Sequence, residues 1–265
     1  MDNKACIATA ALAILAAAPA SASDCPPVTA FEPTHSIAAV NPDLSLRMED
    51  GGSLMIAGID LPRPPLSHPR TDRWPPYDFV RSEMETRYAG QDITALDPSA
   101  PDRHGRRWAR IYLLGGELLA SDLIAAGLAR IDGASPLGCE TGLVQLERRA
   151  RTEALGIWSN PEYSARDAAD PEALLQRTGR FEIIEGIVLN ADRSGNWVYL
   201  NFGPVWKTDF TIIITAAVMQ EFEKLGRDPL AYEGRLIEAR GFVLDQDGPR
   251  IYLEHPGQVE LLSDQ

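Results

Sequence analysis

Cysteine is scarce in this 265-residue chain, which carries three thiols, Cys6, Cys25 and Cys139. That excludes a small scaffold stapled by disulfides. The four histidines, His35, His68, His104 and His255, are scattered, and neither they nor Cys25 and Cys139 have neighbours at zinc-ligand spacing. No serine sits in a Gly-x-Ser-x-Gly elbow, and no glycine-rich phosphate loop follows a strand, so nucleophilic hydrolysis and nucleotide chemistry have no support. Basic charge is in deficit: 25 Lys and Arg face 38 Asp and Glu, for a net charge of −13. That sign opposes binding to phosphate backbones by bulk electrostatics, so a nucleic-acid role needs a local basic patch. Beyond residue 22 no apolar run is long enough to cross a membrane, which predicts a mature chain without a transmembrane segment.

What is present fits a globular protein: 45% hydrophobic and 24% charged residues, with length enough for two ordinary domains. The first 22 residues read as a secretory signal peptide. Lys4 precedes an apolar stretch from Ala5 to Ala18, followed by the small-x-small site Ala20-Ser21-Ala22. Cleavage near Ala22 is expected, with export to the periplasm or the medium. Cys6 would leave with the signal, and in an oxidising compartment Cys25 and Cys139 are expected to pair. Closing that loop would contribute about 4–5 kcal/mol in the chain-entropy model.

Two segments follow, predicted as domains at 23–158 and 179–265 with a polar linker at 159–178 that carries one helical turn around Pro171 to Gln176. In the first, Leu44, Leu46 and Met48 alternate up to the turn Asp50-Gly51-Gly52, and Leu54 to Ile59 returns as the second arm of a hairpin. Prolines between 62 and 76 impose a loop. A helix is expected over Tyr77–Tyr88, strands over Gln91–Leu96 and Arg107–Leu114, and helices over Leu118–Gly127 and Leu143–Leu155. Beyond the linker, strands are expected at Phe181–Leu189, Trp197–Phe202, Asp209–Ile214, Arg235–Val243 and Arg250–Leu253, with a helix over Ala216–Leu225. Five strands with a helix between the third and fourth is the order of an OB-fold barrel. The acidic excess is shared, −5 for 23–160 and −8 for 161–265.

Four pieces of the first segment come in a telling order: Leu54-Met55-Ile56-Ala57-Gly58-Ile59-Asp60-Leu61-Pro62; Asp102-Arg103-His104-Gly105-Arg106 leading into Ala109-Arg110-Ile111-Tyr112; the run from Leu118 to Ala129; and Glu147-Arg148-Arg149-Ala150-Arg151 with Gly156-Ile157-Trp158. Over about residues 37–158 the chain resembles the staphylococcal nuclease (thermonuclease-like) family. The resemblance implies a small OB-type barrel carrying three helices. The fold class expected for the whole chain is therefore β-rich α+β, with two OB-type five-stranded barrels. The family's chemistry is calcium-assisted phosphodiester hydrolysis, which needs several oxygen ligands, an activated water and two guanidinium groups against phosphate charge.

Carried over residue by residue, the resemblance keeps little of that set. The metal-binding carboxylate position falls on Leu44, with Asp43 one residue off and so expected on the opposite strand face. Met55 stands where the family has an arginine. The Asp-x-Pro-Glu motif becomes Asp60-Leu61-Pro62-Arg63, keeping Asp60 as the one metal and catalytic candidate and replacing the base by Arg63. Arg106 is the retained catalytic arginine. In an eroded site Asp60 could cap the turn into Pro62, and Arg106 could pair with a nearby carboxylate. Arg63, with Arg106, could convert a cation site into an anion site. Arg103 and Arg107 are further anion-binding candidates within the basic run Arg103 to Arg110, where Trp108 is expected partly inward. A bulge between Asn41 and Gly51 would bring Asp43, Glu49 or Asp50 back into play.

In the second segment Trp197 and Tyr199 share a strand face, and Trp206 falls in a turn near Gly203 and Pro204. These are the ligand-face candidates of an OB-type module, although aromatics at alternate strand positions more often serve a core. Trp206 is expected exposed. The sequence thus predicts an exported, thermonuclease-like protein with an eroded catalytic site, needing no cofactor, that binds or scaffolds an envelope protein or an anionic ligand. The alternative is a calcium-dependent nuclease acting on DNA or RNA.

Overall fold

The computed structural model describes residues 34–65, 68, 72–134 and 140–262. The segment expected to be a signal peptide and both cysteines of the expected disulfide, Cys25 and Cys139, lie outside the described residues.

Strand alternation builds the first unit. Its strands are β1 (His35–Val40), β2 (Leu46–Met48), β3 (Ser53–Ile56) and β4 (Ile59–Asp60). Leu46 and Met48 point into the core while Arg47 points out. The hairpin turns where the Asp50 carboxylate accepts the Gly52 N–H at 2.8 Å and Gly51 takes a φ of 89°. After the proline-rich segment, α1 (Pro75–Tyr88) buries Pro76, Val80, Met84 and Tyr88, one per turn, and leaves Phe79 on the solvent side. Then come β5 (Asp92–Leu96), β6 (Arg106–Leu113), α2 (Leu119–Ala125), β7 (Arg130–Ile131) and α3 (Glu140–Thr152). The strands close into a barrel in the order β1-β2-β3-β6-β5, with β3 and β6 parallel and the other pairs antiparallel. Ile37, Leu46, Ile93 and Ile111 fill it, and Met84 and Leu123 seal it from the helices.

One close approach fixes how the helices end. The Ile157 N–H donates to the Gly127 carbonyl at 2.8 Å, and a Cβ on Gly156 would stand 2.2 Å from that same oxygen. Only glycine fits there, and Gly156 also has a φ of +53°. Ile157 is thereby turned into the core.

The stretch 159–178, expected as a polar linker with one helical turn around 171–176, has that turn and further order besides. It carries two short 3₁₀ turns, Gly156–Ser159 and Pro161–Tyr163, then β8 (Arg166–Asp167) and α4 (Pro171–Leu175). Sparse apolar residues do the ordering: Tyr163, Ala168 and Leu174 are buried, and Asp170 caps α4 by accepting the Ala173 N–H.

The second unit contains β9 (Phe181–Ile187), β10 (Asn190–Ser194), β11 (Trp197–Asn201), β12 (Thr211–Ile214), α5 (Ala216–Lys224), β13 (Leu236–Phe242), β14 (Leu244–Asp245), β15 (Pro249–Leu253) and β16 (Val259–Leu261). The five expected strands and the helix are present, and the bent first and fourth strands divide their pairing between two sheets. β9 pairs β13 in one, and their continuations β10 and β14 are the edges of the other, so the ladder runs round the five expected strands and returns to its start. The sheet orders are β10-β11-β12-β15-β14 and β16-β13-β9-β8. The reason is local: the chain bends at Val188–Leu189 and at Val243, so β9 and β13 hand over to β10 and β14 in the other sheet.

Ion pairs taken out of water join the two units. Arg240 on β13 donates to Glu147 of α3 at 2.9 Å, to the Ile131 carbonyl at 3.1 Å and to Glu238. Arg151 of α3 reaches Glu238 at 2.5 Å and Glu185 at 2.9 Å. Glu147, Glu238 and Arg240 are each less than 5% exposed. Burial opposes ionisation of Glu238, but Arg240 and Arg151 outweigh it and hold its carboxyl below the usual range. Among the described residues no helix is long and apolar enough to cross a membrane.

Candidate functional site

The family positions fall in two separate places. Arg106 opens β6 and is held from both sides, by Asp102 at 2.7 Å and by Asp43 at 2.6 Å. Hydrogen bonds from Arg106 pull the Asp102 carboxyl down to about 2. Burial works against ionisation of Asp43, yet bonds from Ser45 and Arg106 keep it below the usual carboxylate range. The expectation that Asp43 faces away from this site is corrected. Leu44 precedes the strand, with a left-handed φ of 64°, and its N–H closes a turn onto the Asn41 carbonyl at 2.9 Å. Strand parity therefore does not apply, and Asp43 turns one oxygen to Ser45 and the other to Arg106. Leu44 and Met55, two of the three departures from the family pattern, are both buried.

Asp60 ends β4, and its neighbour across the ladder is Arg130 of β7. Arg130 Nε and Nη2 donate to Asp60 Oδ2 at 3.1 and 2.7 Å. This pair, not a cap on the turn into Pro62, is what occupies Asp60. The Arg130 guanidinium also lies 5.1 Å from the Tyr163 ring and 5.0 Å from the Phe181 ring, so residues of both units cover it. Burial pushes the Tyr163 phenol up.

Around this pair the two units leave a cleft. One part, of about 260 Å³, is lined by Asp60, Arg63, Arg130, Arg177 and Arg180 with Glu162 and Glu182. Glu162 receives Arg177 at 2.7 Å and also Arg180, while Glu182 receives Arg177 at 2.7 Å and Arg166 at 3.3 Å. The other part, of about 490 Å³, shares Asp60, Arg63, Phe181 and Phe242 and adds Trp108, Tyr252 and Asp132. Burial raises the Asp132 carboxyl, and the charge of Asp60 adds to that shift. Arg106 lines neither part.

The remaining candidates disperse. Arg103 is exposed and donates to its neighbour His104, and Arg107 donates to the Ser99 carbonyl at 2.8 Å. Trp108 is 41% exposed, contrary to the inward placement expected of it, because Ala109 and Ile111 take the inward positions of β6. On β11, Val198 and Leu200 fill the core and turn Trp197 and Tyr199 outward; Trp197 meets Tyr252 edge-on at 6.5 Å. Trp206 is 56% exposed, with Lys207 over its ring. Sequence reasoning missed Arg130, Arg177, Arg180 and Phe242. Arg130 had a signal, a lone cation inside the apolar run Gly127 to Ile131, as did Glu238 and Arg240, two charges on one face of an otherwise apolar strand.

A closed five-strand barrel with helices packed on it, joined to further sheets, defines a β-rich α+β protein whose first unit is of OB type. Residues 54–160, the larger part of the N-terminal unit, match the staphylococcal nuclease homologue family. No curated protein matches the chain.

Calcium, which the resemblance implies, asks for six to eight oxygen ligands. The donors present do not fit it: Leu44 offers none, Asp60 is held by Arg130, Asp43 by Arg106, and Arg63 brings positive charge where a carboxylate is needed. Among the described residues no three His, Cys, Asp or Glu side chains converge as a metal site.

Proposed function

We propose that this is an exported binding or scaffolding protein of the bacterial envelope, whose nuclease-like domain does not hydrolyse phosphodiester bonds. The observation that carries the reading is the Asp60–Arg130 pair, at 2.7 Å with side chains 16% and 7% exposed. For Asp60 to serve a cation it would have to leave Arg130 buried without a partner, which costs about 3–5 kcal/mol. Loss of a charge-stabilising group lowers rates by ~10²–10³, and loss of a general base by ~10²–10⁴. Export is supported by the Lys4 to Ala22 pattern.

A second reading, a calcium-dependent nuclease, draws on Asp43, which stands 2.6 Å from the retained Arg106. One experiment separates the two. Mature protein is incubated with single-stranded DNA and RNA, with calcium or with chelator. No chelator-sensitive cleavage is expected. Cleavage that disappears in Arg106→Ala would establish the nuclease.

A further inference from the structure

The cleft beside Asp60 is not neutral throughout. Arg130 is matched by Asp60, and Arg166, Arg177 and Arg180 share Glu162 and Glu182. Arg63 lines both parts of the cleft, is exposed, and has no carboxylate within ion-pair reach among the described residues. Beside it stand two uncovered rings, Phe242 at 57% and Trp108 at 41% exposure. A chain of net charge −13 thus keeps a cation and an apolar surface together in one concave place.

We propose that this cleft captures a carboxylate attached to an apolar group, as presented by the C-terminus of a peptide ending in a hydrophobic residue. The carboxylate is held by the Arg63 fork, and the apolar group lies against Phe242 and Trp108. A planar guanidinium matches a carboxylate bidentately. The charge balance selects the class of anion. One unmatched guanidinium suits a monoanion. The acids that also line this part of the cleft, Asp132 and Glu254, repel a polyanion such as an oligonucleotide. The other arginines of the cleft already hold carboxylates, as Arg177 does with Glu162 and Glu182. This deepens the non-catalytic reading by giving the binding site a ligand class, and it rests on that reading.

The test is an NMR titration of the mature chain with N-acetylphenylalanine and with its uncharged amide. The acid is expected to bind with a dissociation constant on the order of millimolar, as suits a fragment of its size. The amide is expected to bind about tenfold more weakly. Arg63→Met should abolish the preference for the acid, and Phe242→Ala should weaken acid and amide alike; both side chains are exposed, so neither change threatens the fold. Equal binding of acid and amide, or an acid affinity unchanged in Arg63→Met, overturns the proposal. So does displacement of the acid by lower concentrations of inorganic phosphate or of a single-stranded oligonucleotide. The cleavage assay fails independently: hydrolysis would overturn the non-catalytic reading and leave the titration standing, while a flat titration without hydrolysis removes the carboxylate site alone.

Discussion

Arg106 is held by two acids that sit in different surroundings. Asp102 owes its low carboxyl, about 2, chiefly to hydrogen bonds from Arg106. A carboxyl depressed in the folded state stabilises the fold above its unfolded value and loses that contribution as pH falls toward the folded one. Here the window runs from about pH 4 down to about 2. In Arg106→Met the Asp102 carboxyl, followed by carbon NMR through an acid titration, should return to the ordinary range near 4. A titration still centred near 2 would show that Arg106 is not the cause. Residue chemistry also marks where the sequence was hardest to read. That Leu44 lacks an oxygen was plain, as was the exchange of an acid for Arg63. That Asp43 reaches Arg106 was not, because a left-handed residue at 44 breaks the two-residue period on which facing arguments rest.

Elements were read best where apolar period and turn chemistry agree. The hairpin at Leu46–Ile56 and the helix ending at Tyr88 follow from such patterns, whereas the last helix of the first unit, expected to run to Leu155 and stop at Gly156, ends at Thr152 with a left-handed turn at Ala154. In the stretch 159–178 the helical turn near Pro171 was legible, but the rest of its order rests on three apolar side chains and a ladder to β9, and composition averages these away. Gly156 offers a test at this scale. A methyl there meets the Gly127 carbonyl at 2.2 Å, and the backbone is already left-handed. Gly156→Ala should cost about 2–5 kcal/mol and lower the melting temperature by roughly 5–15 °C. Gly195 is also left-handed, with nothing within 4 Å of its would-be Cβ. Gly195→Ala should therefore lose only about 1–2 kcal/mol, from backbone strain alone. Equal losses at the two glycines in chemical denaturation would argue against the close approach.

For the whole molecule, the decisive contacts lie between units, where a single sequence gives least help: Arg240 and Glu147 are 93 residues apart. Removing Arg240 leaves Glu147 and Glu238 buried with less compensation. Arg240→Met should cost about 3–5 kcal/mol in denaturant unfolding, and Arg240→Met with Glu147→Leu and Glu238→Leu should recover much of it. If the single substitution is silent, the network does not hold the units together. Arg130 shares this bridging position, with Asp60 on one side and the Phe181 ring of the second unit on the other. An engineer who wrote acids in at 44 and 63 to gather oxygen ligands would still find Asp60 clasped by that guanidinium. Building a cation site around Asp60 would mean reworking the seam between the barrel and its neighbour, and not the rim of the barrel alone.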